Sequence, residues 1–296
     1  MDRRSPHPYL VGLVGTGVGP SLTPALHMAE ARAQGLDYVY RTIDLDDLRI
    51  APARIGEVLA WAHAMGYDAL NITHPCKQLV LEHLDEVDPV AATLGAVNTV
   101  VFDRDTGRRS GFNTDTTGFA HGFREGLPGA AVDSVVLVGA GGAGTAVADA
   151  LLRLGTGHLT IVDLDVERAG ALARDLAARH PLAQLDASSF DKLSVLLPDS
   201  DGVVHATPTG MAAHPGLPFP ADLLGPRPWV ADIVYRPLDT ALLKAARAAG
   251  CRTLDGGHMA VYQATDAFAL ITGITPDARR MSTHFRSLVA ERPEQP

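Results

Sequence analysis

Cysteine is nearly absent from this 296-residue chain: Cys76 and Cys251 stand far apart, and neither belongs to a C-x-x-C pair. A disulfide framework and a zinc cluster are both excluded by that usage, and a reducing cytoplasm fits it. Long apolar runs are missing as well. No stretch of 18 or more apolar residues occurs, and Met1 to Pro8 is polar and proline-containing with no apolar signal region behind it. The chain therefore reads as soluble, untargeted and cytoplasmic, with no membrane partner. Positive charge is in deficit, with a net charge of -9 and a pI near 5.7, which argues against a nucleic-acid partner. The twelve histidines are scattered, with no H-E-x-x-H or comparable spacing, so no metal is expected.

What is present is enough material for two cores. The length exceeds the usual single domain, and 46% of the residues are hydrophobic. Apolar runs alternate with amphipathic stretches: a strand at Tyr9 to Gly15, a helix from Thr23 to Gln34, a strand at Tyr38 to Ile43, a helix near Arg54 to Ala64, a strand at Asp68 to Ile72. The alternation returns with strands at Val135 to Val138, Leu159 to Val162, Gly202 to Ala206 and Trp229 to Val234, and helices from Gly142 to Leu154 and Val166 to Ala178. That βαβ pattern implies mostly parallel sheets. No Gly/Ser tract or charge block separates the halves. The boundary falls near Asp115 to Gly126, where a helix can start at a capping Asp or Thr. A last helical pattern, Met259 to Ile271, is expected to return to the first domain, giving residues 1–115 plus 259–296 against 116–258.

Gly139-Ala140-Gly141-Gly142-Ala143-Gly144 follows an apolar strand and opens an Ala-rich helix. This is G-x-G-x-x-G in the setting it requires. The first glycine permits a tight turn, the second lets backbone approach a pyrophosphate, and the third lets helix and strand pack closely, while the helix start offers amides and a positive dipole end. The next strand ends at Asp163, nineteen residues after Gly144, where a carboxylate can accept both ribose hydroxyls of NAD. The competing reading is a plain glycine turn with Asp163 capping the next helix. A 2′-phosphate about 4 Å from Asp163 would meet like charge at roughly 1 to 4 kcal/mol, which disfavours NADP. Arg168 works the other way if it accommodates such a phosphate, and is otherwise a solvated helix residue or an adenine neighbour.

Three polar clusters precede the glycine turn: Asn71-Ile-Thr73-His-Pro75-Cys-Lys77, Gly95-Ala-Val-Asn98-Thr99 and Gly111-Phe-Asn113-Thr114-Asp115. Each alone reads as solvated turn residues. Together and in this order they resemble the shikimate dehydrogenase family, whose motifs run N-V-T-x-P-x-K, G-A-V-N-T and G-x-N-T-D ahead of the nucleotide fingerprint. The resemblance extends to Ser21-Leu-Thr23-Pro24, Asp232-Ile-Val-Tyr235-Arg-Pro237, and Asp255-Gly256 with Gln263, so it spans nearly the whole chain. The His-Pro-Cys-Lys wording, the Ser-x-Thr-Pro segment and the acidic Asp163 are similar to the NAD-linked quinate/shikimate branch; the NADP-linked branch typically carries an Asn-Arg-Thr type sequence where this chain has Asp163-Leu164-Asp165.

The resemblance implies an α/β fold of two domains: an N-terminal substrate-binding domain with a mostly parallel sheet, and a Rossmann NAD-binding domain. It implies Lys77 and Asp115 as the catalytic pair, and Ser21, Thr23, Thr73, Asn98, Tyr235 and Gln263 as holders of a small cyclic polyol carboxylate, quinate or shikimate. It also implies nucleotide contacts at Gly139, Gly141, Gly142, Ala143, Gly144, Asp163 and Arg168, at Pro208, Thr209, Gly210 and Met211, and at Ile233 and Gly256. A homodimer is compatible with it.

The chemistry agrees with that pair. Oxidation needs a proton acceptor at the departing hydroxyl hydrogen while hydride leaves the same carbon. A lysine at its reference value near 10.4 is a poor base at pH 7. Burial of Lys77 would disfavour its charge and a nearby Asp115 would favour it; a cationic Lys77 that donates a proton in the reducing direction resolves the conflict, with Asp115 orienting it. One position departs from the family pattern. His258 stands where the family commonly has a second glycine, and reads either as an added contact near the nicotinamide or as a tolerated substitution. His74 reads as structural or substrate-lining. An aminoquinate or aminoshikimate dehydrogenase would share every one of these motifs; a non-catalytic NAD-sensing regulator would keep the fold with damage to Lys77, Asp115 or the glycine turn, and all three are intact.

Overall fold

The computed structural model describes residues 7–291. Residues 1–6, on which part of the expectation of an untargeted chain rests, and residues 292–296 lie outside the described residues. The described residues form two compact units: residues 7–114 with Gln263–Leu288, and Asp115–Tyr262 with residues 289–291.

In the first unit, β1 (Tyr9–Gly15) pairs in parallel with both β2 (Tyr38–Asp44) and β3 (Ala69–Ile72). The crossovers are α1 (Thr23–Ala33), opened by Pro24 in its first turn, and α2 (Ile55–Ala64). In α2 the buried residues are Ile55, Val58, Leu59 and Ala62, a single stripe at helical spacing. Past α3 (Cys76–Leu79), β4 (Glu86–Val87) and α4 (Pro89–Leu94), the chain makes a hairpin of β5 (Thr99–Phe102) and β6 (Arg109–Phe112). β5 runs antiparallel to β3, and the strand order is β2-β1-β3-β5-β6-β4. Because the hairpin reverses direction, the start of β5 and the end of β6 come to the same edge as the ends of β1 and β3.

Helix α10 (Gly256–Thr272) joins this unit from Gln263 onward, and α11 (Ala278–Glu291) follows it. Phe268 of α10 stacks on Tyr38 and packs beside His27 of α1. Glu30, buried on α1, accepts from Arg280 at 2.6 Å, from Gln34 at 2.7 Å and from the Asp277 amide at 2.9 Å. His27 is fully buried; its Nδ1 lies 3.1 Å from the Tyr38 hydroxyl, and its Nε2 has no hydrogen-bond partner among the described residues. Burial pushes its pKa down to about 3.

The second unit starts with α5 (Thr114–Gly126), which shares its first residue with the first unit. Its sheet is wholly parallel: β7 (Ser134–Val138), β8 (His158–Val162), β9 (Gln184–Ser188), β10 (Gly202–His205), β11 (Trp229–Asp232) and β12 (Thr253–Leu254), in the order β12-β11-β10-β7-β8-β9. The order reverses at β7, so the gap between β7 and β10 is the topological switch point where α/β sheets take ligands. The helices α6 (Gly142–Leu154), α7 (Val166–Arg179), α8 (Leu193–Asp199) and α9 (Ala241–Ala248) connect the strands. α6 is buried on most sides because it is built of Ala, Val and Leu. Its one buried charge, Asp149, is matched by Arg153 Nε at 2.5 Å and His180 Nε2 at 3.1 Å. Among the described residues no helix is long and apolar enough to cross a membrane, and no cluster of three or more metal-ligating side chains converges.

Candidate active site

The candidate nucleotide residues gather near the carboxyl ends of neighbouring strands in the second sheet. Gly139 and Gly141 follow β7, with Gly142, Ala143 and Gly144 opening α6; Asp163 follows β8, with Arg168 in the first turn of α7; Pro208 to Met211 follow β10, Ile233 follows β11 and Gly256 follows β12. Backbone bonds stitch this edge together: Gly139 N–H to Val162 O at 2.8 Å, Ala206 N–H to Val138 O at 2.7 Å and Ile233 N–H to His205 O at 3.0 Å. Gly139 has φ +111°, and an added Cβ there would stand 2.6 Å from the Ala206 carbonyl oxygen. A Cβ at Gly144 would lie 2.0 Å from the Gly139 carbonyl oxygen, so this glycine lets the helix close on its own turn. Around Gly141 and Gly142 nothing lies within 4 Å of an added Cβ. The backbone is thus bare where a pyrophosphate would approach, and α6 begins there with no side-chain cap on its amides. These residues fit a dinucleotide.

Asp163 is 5% exposed and its carboxylate is fully engaged. Oδ2 accepts the Ala140 amide at 2.7 Å and Oδ1 the Asp165 amide at 2.9 Å, while Arg168 approaches Oδ1 at 2.5 Å and Oδ2 at 3.4 Å. Burial alone would raise its pKa, but the Arg168 guanidinium and the two amides outweigh that and hold the carboxyl below its ordinary range. The cap of α7 is Asp165, which accepts the Arg168 amide; Asp163 does not perform it. Gly256 starts α10 hard against the β11 connection, where a Cβ would meet the Ile233 carbonyl oxygen at 2.3 Å. Pro208 and Met211 are exposed, Thr209 and Gly210 half-buried, and Tyr235 is 40% exposed on the segment after β11.

The ring-binding candidates gather at the matching edge of the first sheet. Ser21 and Thr23 follow β1, and the Ser21 hydroxyl accepts the Thr23 amide at 3.3 Å as α1 begins. The loop leading there is gripped by Asp44 at the end of β2, which accepts the amides of Gly17 at 3.2 Å and Val18 at 2.8 Å. Burial opposes the charge of Asp44, and the amides of Asp46, Val18, Gly17 and Gly19 together hold its pKa below the usual value. Sequence reasoning missed this residue; a carboxylate closing a strand opposite a Gly-x-Gly loop was the available signal.

Thr73 and Lys77 follow β3, and the Lys77 carbonyl accepts the Val97 amide at 2.8 Å, tying α3 to the start of β5. Lys77 is half-buried and His74 exposed. Asn98, Asn113, Thr114 and Asp115 are all buried, so the second and third polar clusters are not solvated turns. Asn98 Oδ1 accepts the Thr114 amide at 2.9 Å and the Thr99 hydroxyl at 3.0 Å, and its Nδ2 donates to Thr114 Oγ1 at 3.0 Å. Behind it, Thr99 accepts from Asn71 Nδ2 at 2.9 Å, and Asn71 Oδ1 accepts the Tyr40 hydroxyl at 2.5 Å. A buried chain from Tyr40 therefore fixes the backbone at Thr114, one residue before Asp115. Gln263 is half-buried on α10. His258 lies on the same helix in the second unit, with its Cβ 3.0 Å from where Gly122 of α5 would carry one, and its Nδ1 3.3 Å from Asp255 Oδ1.

Residues 13–100 match the shikimate dehydrogenase substrate binding domain family, and residues 125–181, the segment of the glycine turn, match the ThiF family. A shikimate dehydrogenase (NADP(+)) of Streptomyces avermitilis is 60% identical over 92% of this chain and 93% of its own length. A quinate/shikimate dehydrogenase (NAD(+)) of Corynebacterium efficiens is 51% identical over 94% and 98%. The chain belongs to the shikimate/quinate dehydrogenase family. A solved relative, the quinate dehydrogenase of Corynebacterium glutamicum in complex with NAD, superposes with a TM-score of 0.90 at 49% identity, covering 95% of this chain and 99% of that one. As a member of that family the chain is an oxidoreductase, and its two α/β units are the fold of its solved relatives.

Proposed function

We propose that this dehydrogenase is a cytoplasmic, NAD-dependent enzyme interconverting shikimate with 3-dehydroshikimate and quinate with 3-dehydroquinate. The observation that carries the nucleotide choice is the anchoring of Asp163. A carboxylate has about four acceptor positions, and here two amides and the two Arg168 contacts use them. The amides belong to the backbone and stay. Arg168, with its side chain 54% exposed, is free to swing out and leave two positions for the ribose hydroxyls of NAD. A 2′-phosphate would instead face a charge that cannot leave. Some relatives are named for NADP, and Arg168 is the residue that would serve that nucleotide.

At the ring, Ser21, Thr23, Thr73, Asn98 and Gln263 hold the carboxylate and hydroxyls, with Tyr235 as a further contact. In the oxidising direction Lys77 takes the hydroxyl proton, and in the reducing direction its ammonium group returns the proton to the carbonyl oxygen; Asp115 keeps the lysine aimed at that oxygen. Bound NAD supplies the acceptor for the hydride leaving the same carbon. Initial rates of the purified protein with quinate and shikimate, each with NAD and with NADP, test this reading. The expected pattern is turnover of both acids with kcat/KM at least tenfold higher for NAD; a tenfold preference for NADP with both acids overturns the assignment.

A further inference from the structure

Beneath the ligand edge of the second sheet runs a buried polar chain linking residues far apart in sequence. His205 ends β10 and Asp232 ends β11, the two are in register, and both side chains are fully buried. His205 Nδ1 lies 2.9 Å from Asp232 Oδ1, and His205 Nε2 lies 2.5 Å from the Thr207 hydroxyl. Asp232 Oδ1 also accepts the Val234 amide at 3.0 Å, and its Oδ2 accepts the Thr240 hydroxyl at 2.7 Å, the side chain that caps α9. A carboxylate only accepts, so the hydrogen of a neutral His205 sits on Nδ1, and Nε2 becomes the acceptor for the Thr207 O–H. Thr207 Oγ1 in turn accepts the Thr209 amide at 3.3 Å. Each polar atom of the chain then has a partner of the right sense.

Strand pairing does not need this arrangement, because β10 and β11 are already joined along their length. Apolar residues would fill the same space without the cost of burying a carboxylate. What the chain does accomplish is to aim Thr207. That residue's methyl carbon lies 2.9 Å from the Cβ position of Gly139, so its rotamer also bears on the glycine turn, and the partly exposed turn Pro208 to Met211 follows it directly. With adenosine toward β8 and the pyrophosphate at β7, the other half of a dinucleotide lies toward β10.

We propose that His205 is a positioning residue: through the Thr207 hydroxyl it fixes the turn Thr207 to Gly210 in the form that receives the nicotinamide half of the nucleotide, which then binds a loop already shaped for it. This rests on the dehydrogenase reading above. The test is titration of the full chain with NADH and, separately, with NADPH, followed by nucleotide fluorescence, alongside thermal midpoints and quinate and shikimate rates. Thr207→Val keeps the shape and removes the hydroxyl, Thr207→Ser keeps the hydroxyl, and His205→Leu removes the anchor. For the tighter-binding nucleotide, Thr207→Val and His205→Leu are expected to raise Kd at least fivefold, with Thr207→Ser within twofold of the parent. The KM for quinate at saturating nucleotide is expected to stay within twofold. Since His205→Leu removes a buried group and can cost folding, Thr207→Val decides. A Kd within twofold of the parent for Thr207→Val, or an equal loss for Thr207→Ser, overturns the proposal while leaving the function standing. A parent protein that binds neither nucleotide overturns the function, and this inference with it.

Discussion

In the second unit the candidate ligand edge is made of backbone: glycines that leave room, helix amides with no side-chain cap, and one carboxylate held by two further amides. In the first unit the candidate edge is made of side chains, Ser21, Thr23, Thr73, Lys77 and Asn98; Asp44 holds the loop before Ser21, and the buried chain from Tyr40 holds Asn98. A dinucleotide is long and presents the same pyrophosphate to any partner, so main-chain amides suffice for it. A ring whose hydroxyls differ only in position has to be read by individual donors and acceptors, each on its own stem. Changes at the first edge are therefore expected to strike turnover and substrate choice, and changes at the second to strike nucleotide affinity and choice.

The largest expected effect separates the two edges outright. Lys77→Ala should lower kcat by about 10² to 10⁴, the usual worth of acid/base assistance, while NADH affinity stays within about twofold. A fall of less than tenfold would reduce Lys77 to a positioning role. The next effect is confined to the other edge. Asp163→Asn removes the anchored charge and frees Arg168, so kcat/KM with NADP relative to NAD should rise at least tenfold, about 1.4 kcal/mol, with the quinate-to-shikimate ratio unchanged. An unmoved nucleotide ratio refutes the role of Asp163. The smallest sharpens the first edge alone. Quinate has a tetrahedral hydroxyl-bearing carbon where shikimate has a ring alkene, and Thr23→Ser removes one methyl, a change worth about 1 to 3 kcal/mol in a tight pocket. The quinate-to-shikimate ratio of kcat/KM should move at least fivefold with the KM for NAD unaffected; equal responses of both acids would place Thr23 outside the discriminating pocket.

Legibility in the sequence followed the same division. Backbone requirements leave a local trace, and Gly139 to Gly144 with the helix Gly142–Leu154 and the strand Tyr9–Gly15 could be drawn with the bounds they have in the structure. The hairpin β5 and β6 could not. Arg109-Ser-Gly-Phe112 has no apolar run, and a strand that is antiparallel within a βαβ series breaks the pattern that reveals its neighbours. β9, Gln184 to Ser188, is an exposed edge strand with little hydrophobic signal. The candidate residues of the first edge were visible only as a family pattern, because what makes Asn98 and Thr114 informative is their mutual bonding and burial, and neither leaves a periodicity. His205 and Asp232 are 27 residues apart and meet only because β10 and β11 are adjacent. No local rule could pair them.

The enclosed ring of His27 bears on how this protein tolerates acid. In an unfolded chain that histidine takes up a proton near its ordinary value of 6.5, whereas in the fold, walled in by Tyr38, Tyr40 and Phe268, it stays neutral down to about 3. Between those values the unfolded state binds the extra proton, so stability is complete above 6.5 and drains away as the pH falls, by about 1.4 kcal/mol for each unit. Denaturant midpoints at about pH 7.5 and about pH 5.5 should therefore differ more in the parent than in His27→Phe, whose apolar ring has no proton to gain. Equal differences in the two proteins would mean that other groups set the acid limit. An elution buffer at about pH 5.5 would take about 1.4 kcal/mol from the margin by which this fold outlasts its unfolded chain.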